Sequence, residues 1–283
     1  MVDLNPMVDS LEARAKEAIP VNEGDYLGDD GLLYCGKCHT RKQTRVTIFG
    51  VERTPMCPCK CQAEEVERKR AEEANERFRD ELLTKCFMIE EMREWRFEND
   101  NGNNPGLRTV CENFVANFDE FREAGRGLLL FGETGVGKSW FAGCIANALI
   151  DKGIACKFLD FAQIANILND LGSGRNDYIQ TLARYPLLIL DDLCAERNTS
   201  YMDEIVFSVV DARAKAHTPL IVTTNLTSEG LKKATDISRK RIISRLYERC
   251  IPYGVKGKDQ RSQSLIHDYG RFKELLGIEE VKT

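Results

Sequence analysis

The sequence predicts an α/β fold built on a central parallel sheet, preceded by a small cysteine-rich module and a helical connector. Three observations carry this. The apolar run Gly127–Phe131 enters a glycine-rich loop and then a helix-periodic stretch, Trp140 to Lys152, with Phe141, Cys144, Ile145, Ala148 and Leu149 at helical spacing. Two further apolar runs, at Leu187–Leu190 and from Leu220, have the unbroken hydrophobicity of strands covered on both faces. Helix and strand patterns alternate from residue 107 to about 250, as in a parallel sheet with helical crossovers. Ahead of all this, residues 31–61 hold five of the chain's 11 cysteines.

Composition divides the chain into residues 1–61, a helical connector over 62–98, and the α/β domain over 99–283. Residues 1–30 are acidic and carry one amphipathic helix pattern, Val8 to Ile19, with Leu11, Ala15 and Ile19 on one side. Cys35-Gly36-Lys37-Cys38 is a C-x2-C knuckle, and the run Cys57-Pro58-Cys59-Lys60-Cys61 follows 18 residues later. Four thiolates from two knuckles make a tetrahedral zinc site. Thr44–Phe49 between them reads as a strand turned at Gly50, the build of a zinc ribbon. A segment this short buries little core and needs a staple. Cys35, Cys38, Cys59 and Cys61 are the expected ligands; Cys57 is the alternative within the second pair, and His39 a weaker one. Four thiolates leave no open position for water, so the expected role is structural. The remaining cysteines, Cys86, Cys111, Cys144, Cys156, Cys194 and Cys250, sit singly in apolar surroundings and read as core filling. Residues 62–96 are dense in Glu, Arg and Lys with sparse apolar positions, an exposed helix. The Asn- and Gly-rich stretch Glu98–Gly106 breaks the pattern.

The loop after the first strand is Gly132-Glu133-Thr134-Gly135-Val136-Gly137-Lys138-Ser139, which fits G-x-x-x-x-G-K-[ST]. Glycines let backbone N–H groups curl around a phosphate, and the helix that follows adds the positive end of its dipole. Lys138 can reach the β- and γ-phosphates of ATP, and the Ser139 hydroxyl can ligate Mg²⁺. The run Leu187–Leu190 ends in Asp191-Asp192, at the strand edge where open α/β sheets place ligands. Asp191 suits the Mg²⁺ shell, and Asp192 stands where a second acid polarises the attacking water. A helix N-cap pair is the bland alternative. The third run continues into Thr223-Thr224-Asn225, where Asn225 or Thr224 could orient the water or sense the γ-phosphate. Beyond it, Arg241, Arg245 and Arg249 recur every four residues and share one helix face, with Ile242, Ile243 and Leu246 on the buried side. Such a row is either a solvated basic face or the source of an arginine finger for a neighbouring subunit's nucleotide.

The order of these pieces resembles the AAA+ ATPases, and within them the DnaC/DnaI/IstB group. The likeness rests on Gly127–Gly132 with the loop, on Cys144–Leu149, on Asp191-Asp192-Leu193-Cys194-Ala195-Glu196-Arg197, and on Leu220–Leu226, over roughly residues 85–265. The resemblance implies an AAA+ P-loop ATPase domain. Within it, Lys138 and Ser139 match Walker A, Asp191 and Asp192 Walker B, Asn225 sensor 1 and Arg245 the arginine finger, with Arg241 the second candidate. Cys194 stands where the group commonly has Gly. No clear sensor-2 arginine can be placed, Arg261 being the one candidate. A cysteine-rich module ahead of the ATPase resembles the DnaI side of the group, where the N-terminal part contacts the replicative helicase. The implied role is an ATP-dependent loader of a DnaB-type hexameric helicase onto single-stranded DNA, self-associating through the ATP site. An IstB-like transposition ATPase is the alternative. Related loaders and initiators place a DNA-binding element where residues 160–184 lie; Arg175 and Arg184, with Tyr178 between, could supply phosphate contacts and stacking.

No apolar run approaches the roughly 18 residues of a membrane span. The first residues show neither a basic region nor an apolar core, so a cytoplasmic protein with reduced cysteines is expected. The net charge of −5 argues against indiscriminate nucleic-acid binding. Residues 232–249 nevertheless carry Lys232, Lys233, Arg239, Lys240, Arg241, Arg245 and Arg249 against only Asp236 and Glu248, a local basic surface.

Overall fold

A computed structural model describes residues 10, 13–14, 19–193, 200–232, 237–257, 259, 272 and 275–276. The helix expected over Val8–Ile19 falls mostly outside them, as do Cys194 and Arg261. The chain divides into two compact units, residues 1–77 and 78–283.

The first unit contains two small antiparallel hairpins. One joins β1 (Tyr26–Leu27) to β2 (Leu33–Tyr34), and the other joins β3 (Val46–Ile48) to β4 (Val51–Arg53). Phe49 and Gly50 link β3 to β4 with φ of 51° and 79°. Two positive φ values in a two-residue loop match the twist of the flanking strands, and Gly50 meets that demand without strain. The interior is small: Leu32, Cys35, Met56 and Cys59, with the ion pair Lys42–Asp25. After the second knuckle, α1 (Lys60–Cys86) begins. It is exposed for most of its length and laced by pairs four residues apart, such as Arg68–Glu72 and Arg77–Glu73. Each such pair contributes only a few tenths of a kcal/mol, roughly 0.3–0.5. Its last turn, Leu82, Leu83 and Cys86, is buried in the core of the second unit.

That unit continues through two 3-10 turns, Glu90–Glu94 and Phe97–Asn99, into α2 (Pro105–Ala116) and α3 (Phe118–Ala124). Asn104 caps α2, accepting from the Leu107 N–H, and Pro105 takes the first helical position. There follow β5 (Gly127–Gly132), α4 (Lys138–Asp151), β6 (Cys156–Asp160), α5 (Phe161–Leu171), α6 (Arg175–Arg184) and β7 (Leu187–Leu193). The last described elements are α7 (Ser200–Ala216), β8 (Leu220–Thr224), α8 (Ser228–Lys232), α9 (Ile237–Arg249) and β9 (Cys250–Val255).

The five later strands form one sheet, all parallel, in the order β6-β7-β8-β5-β9. Along each central strand the apolar side chains alternate between two cores. Leu128, Leu130, Ile189 and Ile221 pack with α2 and α4 on one face. Leu129, Leu188, Leu190 and Val222 pack with α5, α7 and α9 on the other. This is the AAA+ P-loop architecture expected, an α/β domain with a central parallel sheet. Cys86, Cys111, Cys144, Cys156 and Cys250 are all buried in these two cores. The edge strand β9 carries Pro252, which an edge tolerates because one side of it needs no ladder N–H. From β5 the chain leads away to the far edge at β6 and later crosses back to β9. A topological switch point therefore lies beside β5, where such sheets bind ligands.

Candidate nucleotide site and cysteine cluster

The loop Glu133–Gly137 leaves the carboxyl end of β5 and enters α4. Gly132, Gly135 and Gly137 have φ of 143°, 78° and 94°, values that side chains with a Cβ rarely adopt. Gly132 is also crowded: a Cβ there would lie 2.2 Å from the Val255 carbonyl oxygen on β9. At Gly135 a Cβ would lie 1.7 Å from Oδ1 of Asp259, so this carboxylate lies directly against the loop. Lys138 opens α4 and is buried; its ammonium donates to the Gly132 and Glu133 carbonyls at 2.9 and 2.6 Å and to Oδ1 of Asn225 at 2.9 Å.

Asp191 closes the buried run of β7. Its carboxyl accepts from the Thr223 hydroxyl at 2.5 Å and from the Ser139 hydroxyl, and burial pushes its pKa above the usual value. Ser139 and Asp191 thus sit side by side, the two oxygen ligands a Mg²⁺ ion would use beside a triphosphate. The β7–β8 pairing slips between Leu190 and Leu193, and Asp192 in that bulge adopts φ 60°. Bulges re-aim side chains next to active sites. Here the Asp192 N–H donates to the Thr223 hydroxyl at 2.9 Å, while Oδ1 of Asp192 accepts from Nδ2 of Asn225 at 2.7 Å. Lys138, Asn225 and Asp192 therefore form one hydrogen-bonded chain across the mouth of the loop. Thr224 faces away, donating to the Leu193 carbonyl. Thr223 was not expected to matter. Its hydroxyl bridges both aspartates, and the only signal for it in the sequence is its place one residue before the strand end.

These groups line a cleft of about 750 Å³, whose other wall is formed by Glu91, Glu94, Trp95, Asn99 and Asn101, with Trp140 beyond Ser139. Arg245 does not line it. Its guanidinium lies on α9, pairs with Asp211 at 3.3 Å and Glu248 at 2.7 Å, and is 41% exposed. Arg241 stacks over Phe207 at 4.2 Å, and Arg249 contacts His217 and Glu248. Two members of the arginine row thus lie along α7 of their own chain. In the region considered for DNA, Nε of Arg175 donates to the Leu168 carbonyl at 2.7 Å, and Tyr178 is half-buried against the α5–α7 core.

In the first unit the sulfurs of Cys35, Cys38, Cys59 and Cys61 lie within 4.8 Å of one another, the one such group among the described residues. Cys35–Cys61 and Cys59–Cys61 are 3.7 and 3.4 Å apart. A tetrahedron with zinc–sulfur bonds of about 2.3 Å has edges of about 3.8 Å, so the donor set fits zinc. The Thr40 hydroxyl and the Cys61 backbone N–H pull the Cys38 thiol down to about 5. Backbone N–H groups of Cys38 and Lys37 lower that of Cys35. Cys61, hydrogen-bonded to the Cys59 sulfur, is pushed up to about 12. Cys57 faces the Arg41 carbonyl instead, and Nδ1 of His39 shares a hydrogen bond with the Tyr26 hydroxyl at 3.2 Å. Beside the knuckle, the fully buried ammonium of Lys42 donates to Asp25 at 2.5 Å, and Asp25 in turn accepts from the Gly36 N–H at 3.1 Å.

The model of the IstB-like ATP binding proteins matches residues 64–265. The chain belongs to that family. It is 26% identical over 162 residues to the replicative helicase loader DnaI of Bacillus subtilis, covering 52% of this chain and 51% of that protein. It is 32% identical over 108 residues to an ATP-binding protein of an insertion sequence from Mycobacterium tuberculosis, covering 36% and 42%. The match to the crystal structure of the DnaC helicase loader has a TM-score of 0.51 at 25% identity, over 59% of this chain and all of that one. For DnaI, the first of these relatives, the match spans about half of that protein's length. No helix among the described residues is long and apolar enough to cross a membrane.

Proposed function

We propose that this protein is an ATP-hydrolysing switch that loads a DnaB-type hexameric replicative helicase onto single-stranded DNA. The observation that carries the reading is that Lys138, Ser139, Asp191, Asp192 and Asn225 line one cleft, while a four-sulfur cluster lies in the other unit. Lys138 would hold the β- and γ-phosphates, and Ser139 with Asp191 would hold Mg²⁺, which neutralises charge developing on the phosphates. Asp192 would take the proton of the attacking water, oriented by Asn225. Arg245 lies outside its own cleft. It would act on a neighbouring subunit's nucleotide, so that ATP bridges subunits and hydrolysis loosens them. The zinc-stapled module would present a rigid docking surface to the helicase. DNA would be met by Arg184 and the basic residues of α9, with Arg175 held back by its bond to the Leu168 carbonyl and the α9 arginines exchanging their own-chain partners for phosphates.

The names of the relatives support the helicase partner: DnaI and DnaC are both helicase loaders. A second reading, an assembly ATPase for a transposase, is favoured by the insertion-sequence relative. The full chain should co-purify with a hexameric replicative helicase, and Cys35→Ser/Cys38→Ser should lose that partner while keeping ATP. Capture of a transposase and no helicase would reverse the choice.

A further inference from the structure

Arg245 lies outside its own cleft, and the helix packed beside it decides where its guanidinium points. We propose that α7 is a rack that aims Arg245 at a neighbouring subunit's nucleotide. Asp211 is its positioning residue, and Glu248 is the partner given up when the phosphates arrive. The proposal rests on reading Arg245 as acting in trans. Asp203, Phe207 and Asp211 recur every four residues along α7 and so share one face. Each meets an arginine of α9. Asp203 lies 3.8 Å from Nε of Arg239, the Phe207 ring centre 4.2 Å from the Arg241 guanidinium, and Asp211 3.3 Å from Nε of Arg245.

The two carboxylates on Arg245 hold it in unlike ways. Asp211 takes Nε and is only 15% exposed, and its second oxygen pairs with the Lys215 ammonium at 2.7 Å. Both of its oxygens are therefore engaged. Glu248 takes Nη1 at 2.7 Å, yet it is 45% exposed and sits three residues further along the same helix. An exposed pair of this kind is weak and readily exchanged. Nη2 makes no hydrogen bond among the described residues. With Glu248 displaced, Nη1 and Nη2 form the fork that matches a phosphate, while Asp211 still grips the guanidinium from behind. The rack is itself anchored. The almost fully buried Arg213 of α7 donates to the Pro219 carbonyl just ahead of β8, the strand whose Thr223 hydroxyl bonds Asp191 and Asp192. The aim of Arg245 and its subunit's own site thus share one scaffold.

The test is ATP hydrolysis by the full chain, in single preparations and in mixtures. Asp211→Ala should keep ATP affinity and lower kcat by about 10²-fold, the cost of a misplacement near 1 Å. Asp211→Asn, which keeps an acceptor for Nε, should lose less. Glu248→Gln removes the same charge beside the same guanidinium and should hydrolyse at least as fast as wild type. Mixing separates aim from folding. Lys138→Ala protein has a dead cleft and an intact arginine, so it should restore hydrolysis in the clefts of Asp211→Ala protein. Arg245→Ala protein, which has no guanidinium to lend, should not. Wild-type kcat in Asp211→Ala, or an equal loss in Glu248→Gln, would overturn the rack. So would recovery by Lys138→Ala of Arg245→Ala but not of Asp211→Ala. If Lys138→Ala rescued neither variant, the trans reading of Arg245 would itself fail.

Discussion

Asp192→Asn separates the chemistry of this residue from its backbone. Asp192 occupies the left-handed region at φ 60°, where most side chains cost about 1–2 kcal/mol and Asn and Asp are the tolerated exceptions. Asn should therefore keep the bulge. Its amide oxygen can still accept from Nδ2 of Asn225, and its N–H can still donate to Thr223. The carboxylate's basicity and negative charge are lost. A positioned general base contributes about 10²- to 10⁴-fold, so single-turnover hydrolysis should fall by that factor while ATP binding holds. Asp192→Ala should lose the same rate and also pay the backbone strain and the stranded Asn225 amide. For a unit of this size, a loss of about 1 kcal/mol lowers Tm by roughly 2–4 °C. The two variants should thus match in rate and differ in melting. Hydrolysis near the wild-type rate in Asp192→Asn would remove Asp192 as the base. Equal melting of the two would refute the backbone reasoning.

Arg245→Ala should bind ATP normally yet hydrolyse about 10³-fold more slowly, and mixing it with Lys138→Ala protein should restore some shared sites; no recovery in any mixture would mean the guanidinium acts within its own chain. Purified protein should carry one zinc per chain, and chelation should unfold residues 31–61 while the melting of the ATPase unit stays put; elemental analysis without zinc, with Cys35 and Cys38 freely alkylated, contradicts this. Hydrogen bonds from Lys42 and the Asn22 N–H hold the Asp25 carboxyl at about 2, below its ordinary 3.8. A depressed carboxyl stabilises the fold fully above its unfolded value and loses that contribution as pH falls towards about 2. Asp25→Asn should therefore destabilise the first unit near neutral pH and flatten its acid melting between pH 4 and 2; an unchanged acid profile would show that the pair is not coupled to folding.

The strands that cross the middle of the sheet were legible because they are covered on both faces, which leaves an unbroken apolar run in the sequence. Strand β9 was not, because an edge strand with one exposed face and a proline reads locally as a turn. The P-loop was legible because its backbone demands glycines at fixed spacing. The cysteine cluster was legible because two knuckles at close spacing have few other uses, although choosing Cys59 and Cys61 over Cys57 depends on which sulfurs the chain brings together. The burial of Lys42 against Asp25 left no trace, since a charged residue in a loop normally reads as exposed. Arg213 is the same case on a larger scale. It is almost fully buried, donates to the carbonyls of Leu182, Ala183, Tyr185 and Pro219, and ties the end of α6 to the start of β8.

The sequence by itself determined the fold class, the phosphate loop, the aspartate pair and the sulfur-rich module, because each follows from local backbone geometry or short-range spacing. Tertiary structure alone decided that Asp192 is turned by a bulge towards Asn225, that Thr223 bridges the two aspartates, and that Arg241 and Arg245 lie along α7 rather than in their own cleft. Each of these joins residues dozens of positions apart through sheet register or helix packing, and neither leaves a period or a spacing in the chain from which it could be read.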